Sequence, residues 1–293
     1  VGGGSILDVG KSLCCLYGTD LPDADSLRRL IEEKSYGHPA ARWIGVPTTA
    51  GTGSEVTCWA TIWDPERDAK RSVECRENYA FAALVDPELA AGMPVTLAVS
   101  SALDAAAHAV ESYWAKGTNA VSRGLALEAI RTIMGHMDGL LAGTMEAHEA
   151  MARGSMLAGL AFSNTKTTAC HSISYPLTMH CGIPHGAAVS MLLGPVFQLN
   201  AQALARPEPL LDALGVSSPK ELAEKVCGIL RRSGQPATLK EWGTQREELP
   251  RLARLGMTKG RADNNPVPIE PATILSILEQ IYDSSCKLTR KGA

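Results

Sequence analysis

Aromatic residues are scarce in this chain: Phe, Trp and Tyr together make up 5% of 293 residues. A core of this size must be closed by aliphatic and small side chains, and the abundant Ala, Leu and Gly lean toward close-packed helices. Long apolar runs are missing as well. No window approaches the roughly 18 uninterrupted apolar residues of a membrane span, and no signal-peptide pattern is present. Neither sign of charge dominates, with 28 Lys and Arg against 31 Asp and Glu and a formal net charge of −3. That balance gives no reason to expect a nucleic-acid or membrane partner. None of the eight cysteines forms a C-x-x-C pair, so neither a zinc knuckle nor a disulfide framework is indicated. Reduced thiols in a cytoplasmic protein are the expectation. An initiator Met is lacking too: the chain opens on Val1-Gly2-Gly3-Gly4-Ser5 with no strand ahead of the glycines. A glycine loop needs a preceding strand to aim it, so an upstream segment is expected to be missing.

What is present divides in two. The first part alternates helical and strand-like segments. Residues 8–17 suit a helix, 43–47 and 57–63 read as short strands, and 80–85 is an apolar run closed by Asp86-Pro87, a turn signal. Beyond Pro94 the strand signals fade. Helical spacing runs through 100–114, 122–141, 147–162, 187–204, 220–233 and 270–282. The expected organisation is an α/β domain over 1–90 followed by an all-helical domain over 91–293.

Asp104 and His108 stand four residues apart on a predicted helix and project from one face. Such a pair can share a metal, or form a surface or buried hydrogen bond. Its neighbours are small and apolar, and a buried carboxylate needs a partner. Farther on, His171, His180 and His185 fall close together, His185 in an Ile-Pro-His-Gly turn before an apolar helix and His171 near a helix start. One Asp and three His make a mixed oxygen and nitrogen set suited to Fe²⁺ or Zn²⁺; His180 is read as structural or as a support to the ligands. The glycines at 2–4 can offer backbone N–H groups to a pyrophosphate, or be a flexible turn. The run Pro47-Thr48-Thr49-Ala50-Gly51-Thr52-Gly53-Ser54-Glu55 packs hydroxyls and glycines after a strand, where a doubly wound sheet places its ligand crevice.

The segments GGGSILDVGK (2–11), PTTAGTGSE (47–55), LVDPEL (84–89), LDAAAHAVES (103–112), IPHG (183–186) and NNPVPI (264–269) stand in the order found in iron-containing (group III) alcohol dehydrogenases, which the chain resembles over nearly its whole length. The resemblance implies an incomplete Rossmann-like nucleotide-binding domain followed by a helical metal-binding domain, as in dehydroquinate synthase-like folds, with a metal in the cleft between. It implies Asp104, His108, His171 and His185 as metal ligands, with Fe²⁺ ahead of Zn²⁺. It implies Gly3, Gly4 and Ser5 at the pyrophosphate of NAD or NADP, Asp8 near the nicotinamide, and Thr48, Thr49 and Thr52 at phosphate, ribose or nicotinamide. Lys70 looks like the family lysine that reaches the ribose hydroxyls; a surface charge is the other reading.

Where the family commonly carries a second His, four residues after the third ligand, this chain has Tyr175, which could hydrogen-bond substrate or relay a proton. TCWATIWD (57–64) and residues 161–186 are similar to the branch of phosphonate metabolism that reduces phosphonoacetaldehyde to 2-hydroxyethylphosphonate. Lys166, near His171, would then anchor the phosphonate; a solvated loop lysine is the other reading. The expected reaction is reversible hydride transfer between nicotinamide and a small aldehyde or alcohol, in a homodimer. The rivals are a zinc glycerol dehydrogenase, a dehydroquinate synthase-like enzyme, and a truncated, inactive metal-binding subunit.

Overall fold

A computed structural model describes residues 1–36, 41–67, 69–258 and 260–283. Strands are confined to the first part. Ile44–Gly45 (β1) pairs in parallel with Ala82–Ala83 (β4). Gly2 bridges Pro47 in parallel on the continuation of β1. The residues right after Gly2 turn into helix Gly4–Leu16 (α1), which begins at the glycines and ahead of the expected residue 8.

Trp59–Asp64 (β2) and Ala69–Glu74 (β3) form an antiparallel hairpin with Trp63 opposite Lys70. Side chains alternate across a strand, and here the two faces differ in kind. Ala60 and Val73 are fully buried against Cys15 of α1 and Ile31 of helix Ala24–Glu33 (α2). The other face carries Trp59, Thr61, Trp63, Lys70, Ser72 and Glu74, all of which line a cleft. Neither α2 nor β3 is foreseen from the sequence.

Polar stitches hold α1 to this hairpin. The fully buried Lys11 donates to Thr57 Oγ1 at 2.8 Å and to the Trp59 carbonyl at 2.9 Å. Burial pushes its ammonium down to about 8. At the far end of β2, Asp64 accepts from both Arg28 of α2 (2.8 Å) and Arg71 of β3 (2.8 Å). These two guanidinium groups hold its carboxyl well below the ordinary range. Such a group stabilises the fold in full above its unfolded pKa of about 4 and loses that contribution as pH falls toward its folded value. Asp64→Asn is therefore expected to lower the melting temperature at pH 7, with the gap to wild type shrinking below about pH 4. Thermal unfolding of both proteins across pH 2–8 checks this, and a gap independent of pH would contradict it.

From Glu88 onward the described residues hold helices and no strand. After the short Glu88–Ala91 (α3) come Val95–Trp114 (α4), Ala120–Gly135 (α5), Met137–Leu141 (α6), Met145–Thr165 (α7), Ala169–Cys181 (α8), His185–Asn200 (α9), Glu208–Leu214 (α10), Pro219–Arg232 (α11), Leu249–Leu255 (α12) and Pro271–Tyr282 (α13). The continuous helix expected over 122–141 is broken at His136, where the backbone leaves helical geometry (φ −111°, ψ 12°). Beyond its exposed first turn, helix α4 is buried on nearly every side and packs against α5, α7 and α9. Its run Ala105-Ala106-Ala107 has no bulk to hold neighbours off, which is how a chain with few aromatics reaches native packing density.

Candidate active site

Three close backbone approaches shape the cleft. A Cβ on Gly4 would come within 2.5 Å of Thr52 Cγ2, and one on Gly3 within 3.2 Å of Thr49 Cγ2, so the start of α1 rests directly on the hydroxyl loop. That loop turns through Gly53, at φ +57°, where a Cβ would lie 2.6 Å from Gly159 Cα on α7. On the opposite side, α8 ends at left-handed Gly182 (φ +66°), and Pro184 then starts α9 at His185. A Cβ on Gly186 would sit 2.0 Å from the Ser100 carbonyl. Only glycine lets α9 press this close to α4, and the contact sets His185 beside Asp104, one turn beyond Ser100.

Asp104, His171 and His185 offer ligand atoms that all lie within 4.8 Å of one another. His171 Nε2 is 3.4 Å and His185 Nε2 3.8 Å from Asp104 Oδ1. His108 stands outside this trio, its Nδ1 3.9 Å from the other carboxylate oxygen. Its ring is stacked between Phe162 (4.2 Å) and His171 (4.3 Å).

Each of these four residues has a buried polar atom without a hydrogen-bond partner: Asp104 Oδ1, His108 Nδ1, His171 Nε2 and His185 Nδ1. Together they supply half of the eight such atoms among the described residues, so the deficit is concentrated here. Buried polar groups are normally satisfied. A cation held about 2 Å from each donor would satisfy carboxylate oxygens and imidazole nitrogens at these separations. The donor set therefore fits a divalent metal.

The electrostatics agree. Burial drives His108 down to about 4 and His185 to about 3, leaving both imidazoles neutral with lone pairs available. Burial alone would raise Asp104, but the surrounding imidazoles outweigh it and hold the carboxyl below its usual range. His171 goes the other way: Glu111 and Asp104 outweigh burial and raise its pKa.

Glu111, a residue not singled out from the sequence, explains the His171 orientation. It is fully buried on α4. Its Oε1 accepts from Thr168 Oγ1 and from the Cys170 N–H, both at 2.6 Å, and its Oε2 accepts from His171 Nδ1. A carboxylate can only accept here, so Nδ1 carries a proton and Nε2 is the nitrogen turned toward Asp104, the one that a metal would take. Trp114 Nε1 completes the chain by donating to Thr168 Oγ1 at 2.8 Å.

The cleft above this cluster has a volume of about 830 Å³. Gly4, Ser5, Asp8, Thr49, Thr52, Lys70, Lys166 and Tyr175 line it, together with the four residues of the cluster; Gly3 and Thr48 do not. Thr48 instead donates its N–H to the Gly2 carbonyl at 3.0 Å. Asp8 is engaged on both oxygens, by Ser54 Oγ at 2.7 Å and the Thr61 N–H at 2.8 Å. Lys70 is no surface charge: its Nζ lies 3.4 Å from the Tyr175 ring centroid and 5.0 Å from that of Trp63. Tyr175 stacks on His185 (5.7 Å, 13° between planes), and burial pushes its phenol up to about 12. Lys166 is half exposed at the rim and pairs with Glu74 at 2.8 Å. Arg261, also not singled out beforehand, brings its guanidinium to 5.2 Å from the Tyr175 ring.

The comparisons with known proteins bear on this geometry. The family model described as "Fe-containing alcohol dehydrogenase family, C-terminal" matches residues 98–282, and "Iron-containing alcohol dehydrogenase" matches 1–87. Lactaldehyde reductase of Escherichia coli is 30% identical over 95% of this chain and 74% of its own length. Phosphonoacetaldehyde reductase of Streptomyces viridochromogenes is 34% identical over 68% of this chain and 52% of its own. Among solved structures, sulfoacetaldehyde reductase from Bifidobacterium kashiwanohense in complex with NAD+ is similar at a TM-score of 0.83 and 28% identity, covering 97% of this chain and 75% of that one. No helix among the described residues is long and apolar enough to cross a membrane. On the strength of these matches, this chain belongs to the iron-containing alcohol dehydrogenase family.

Proposed function

We propose that this chain transfers hydride reversibly between NAD or NADP and a small aldehyde, with a divalent ion held by Asp104, His171 and His185 and with His108 beside them. The observation that carries the reading is the convergence of Asp104, His171 and His185 in the cleft with His108 beside them, each with a buried polar atom that lacks a hydrogen-bond partner. When bound, Fe²⁺ or Zn²⁺ supplies Lewis acidity toward a carbonyl oxygen. The remaining work falls to the protein. The N-terminus of α1, with Gly3, Gly4 and Ser5, offers N–H groups and a favourable dipole to the cofactor's phosphates. Thr48, Thr49 and Thr52 belong to the loop on which α1 rests, and Asp8 and Lys70 stand on the walls where ribose and nicotinamide would lie. Trp63 and Tyr175 pack edge to face at 6.3 Å and line the cleft with apolar surface.

Tyr175, held as the phenol and stacked on His185, is the group we assign to donate a hydrogen bond or proton toward the substrate oxygen. Lys166 at the rim would meet an anionic substrate on its way in, after parting from Glu74. Within this reading phosphonoacetaldehyde is the first substrate to test, since a reductase of that compound is among the relatives. A cytoplasmic setting and a homodimer form part of the same proposal.

The test is anaerobic loading with Fe²⁺ or Zn²⁺, titration with NADH and NADPH, and a panel of short aldehydes followed at the nicotinamide absorbance. Saturable nucleotide binding and metal-dependent reduction are the expected results. Metal binding with no saturable nucleotide binding would point instead to a non-catalytic metal-binding protein.

A further inference from the structure

We infer that Arg261 selects the substrate, its guanidinium binding an oxyanion group (phosphonate, sulfonate or carboxylate) carried by the aldehyde. The inference rests on the hydride-transfer reading and names the substrate class for that same cleft.

The cleft's cations are not equivalent. Lys166 and Lys34 at the rim both face Glu74, at 2.8 Å and 4.0 Å, so an incoming anion would have to displace a carboxylate. Arg261 lines the cleft and has no ion pair within 4 Å among the described residues. It lies instead against Tyr175, whose ring also contacts Lys70 and stacks on His185. Two cations against one buried ring repel each other, and the ring's π-face offsets only part of that. An oxyanion entering beside them would relieve it. The guanidinium also presents paired N–H donors that match the oxygen spacing of such groups, which an ammonium cannot do.

Arg261 is held in place with respect to the metal-ligand cluster. The Thr258 N–H donates to Ser172 Oγ at 2.8 Å, and Ser172 Oγ donates to the Gly256 carbonyl at 2.6 Å. Ser172 follows His171 directly. The Arg261 N–H donates to the Thr258 carbonyl at 3.2 Å. On the other side, Asn264 Nδ2 donates to the carbonyls of Thr165 and Thr167 at 2.9 and 3.0 Å. The described residues on either side of Arg261 are thus tied to α8 beside His171 and to the end of α7 with the connection after it. The phosphate-binding elements proposed for the cofactor come from α1 and the Thr49–Thr52 loop, elements other than the turn bearing Arg261.

The experiment compares wild type, Arg261→Gln and Arg261→Lys in two measurements. The first is steady-state reduction of phosphonoacetaldehyde and sulfoacetaldehyde against neutral propionaldehyde by the metal-loaded enzyme. The second is equilibrium binding of the unreactive methylphosphonate, followed by tryptophan fluorescence, which needs no turnover. Wild type is expected to favour the anionic aldehydes. Arg261→Gln should raise their KM about 100-fold, the effect of one charged hydrogen-bonded pair. It should lose methylphosphonate binding while leaving propionaldehyde kinetics and NAD(P)H affinity within about twofold; Arg261→Lys should recover part of the loss. Equal losses on neutral and anionic aldehydes, weakened nucleotide binding alone, a wild type indifferent to charge, or unchanged methylphosphonate binding would each overturn the assignment. If wild type reduces no aldehyde, the hydride-transfer reading fails, and methylphosphonate binding still decides whether Arg261 holds an oxyanion.

Discussion

His185→Ala is expected to abolish both metal retention and turnover. The imidazole is one of three groups whose ligand atoms converge within 4.8 Å, and its pKa near 3 leaves it neutral and ready to donate a lone pair. Without it, the cation keeps Asp104 and His171 with only the more distant His108 as a third donor, a set that should not retain metal through dialysis. Losing the Lewis acid removes several kcal/mol of transition-state stabilisation, which corresponds to a fall in kcat of about 10³-fold or more. The fold should survive, because the His185 side chain is 29% exposed and sits at a helix start that Gly182, Pro184 and Gly186 already define. Elemental analysis after dialysis, circular dichroism and steady-state rates together make the check. A metal-free His185→Ala protein with full activity would sink the metal assignment.

Glu111→Gln should weaken the metal by about 10- to 100-fold with little change in the cleft's shape. The amide keeps the size of the carboxylate and loses one acceptor. Its oxygen can serve Thr168 and the Cys170 N–H, which leaves the NH₂ facing His171 Nδ1. Two donors cannot face each other there, so His171 must move its proton to Nε2, where it blocks the side turned toward Asp104. Chelator competition for the bound metal is the direct readout, and imidazole ¹⁵N shifts report the tautomer. Wild-type metal affinity in Glu111→Gln would show that the tautomer is not set by Glu111. Glu111→Ala should be worse in another way. It orphans buried donors on Thr168, Cys170 and His171 together, and breaking a buried charged contact costs about 3–5 kcal/mol of stability.

Much of this site could be read from spacing. Asp104 and His108 one helical turn apart, His171 near the start of α8, and His185 in a Pro-Gly turn at the start of α9 were all placed from local patterns that the helices obey. The apposition of these segments could not be read that way. It depends on Gly186 against Ser100 and on Gly53 against Gly159, contacts across 86 and 106 residues. Glu111 had a faint signal, since 104, 108 and 111 share one face of α4 at 3.6-residue periodicity, but a lone Glu on an Ala-rich helix reads as an exposed residue. Arg261 had none, because its importance comes from a turn whose ties run to Ser172, Thr165 and Thr167. The strands were similarly divided. The β-branched and aromatic run at 57–63 announced β2, observed at Trp59–Asp64, whereas β3 carries Lys70, Arg71 and Glu74 and lacks that pattern. Its strand character comes from pairing with β2 rather than from its own residues.

The two-faced hairpin has a consequence for how such a protein can change over time. Substitutions at Trp59, Thr61, Trp63, Lys70 or Ser72 alter what the cleft meets, while the packing of Ala60 and Val73 under it stays as it was. Selectivity and foldability are therefore encoded at alternate positions of the same short segment. A lineage can drift from one small aldehyde to another by single steps, with no need to rebuild the scaffold each time.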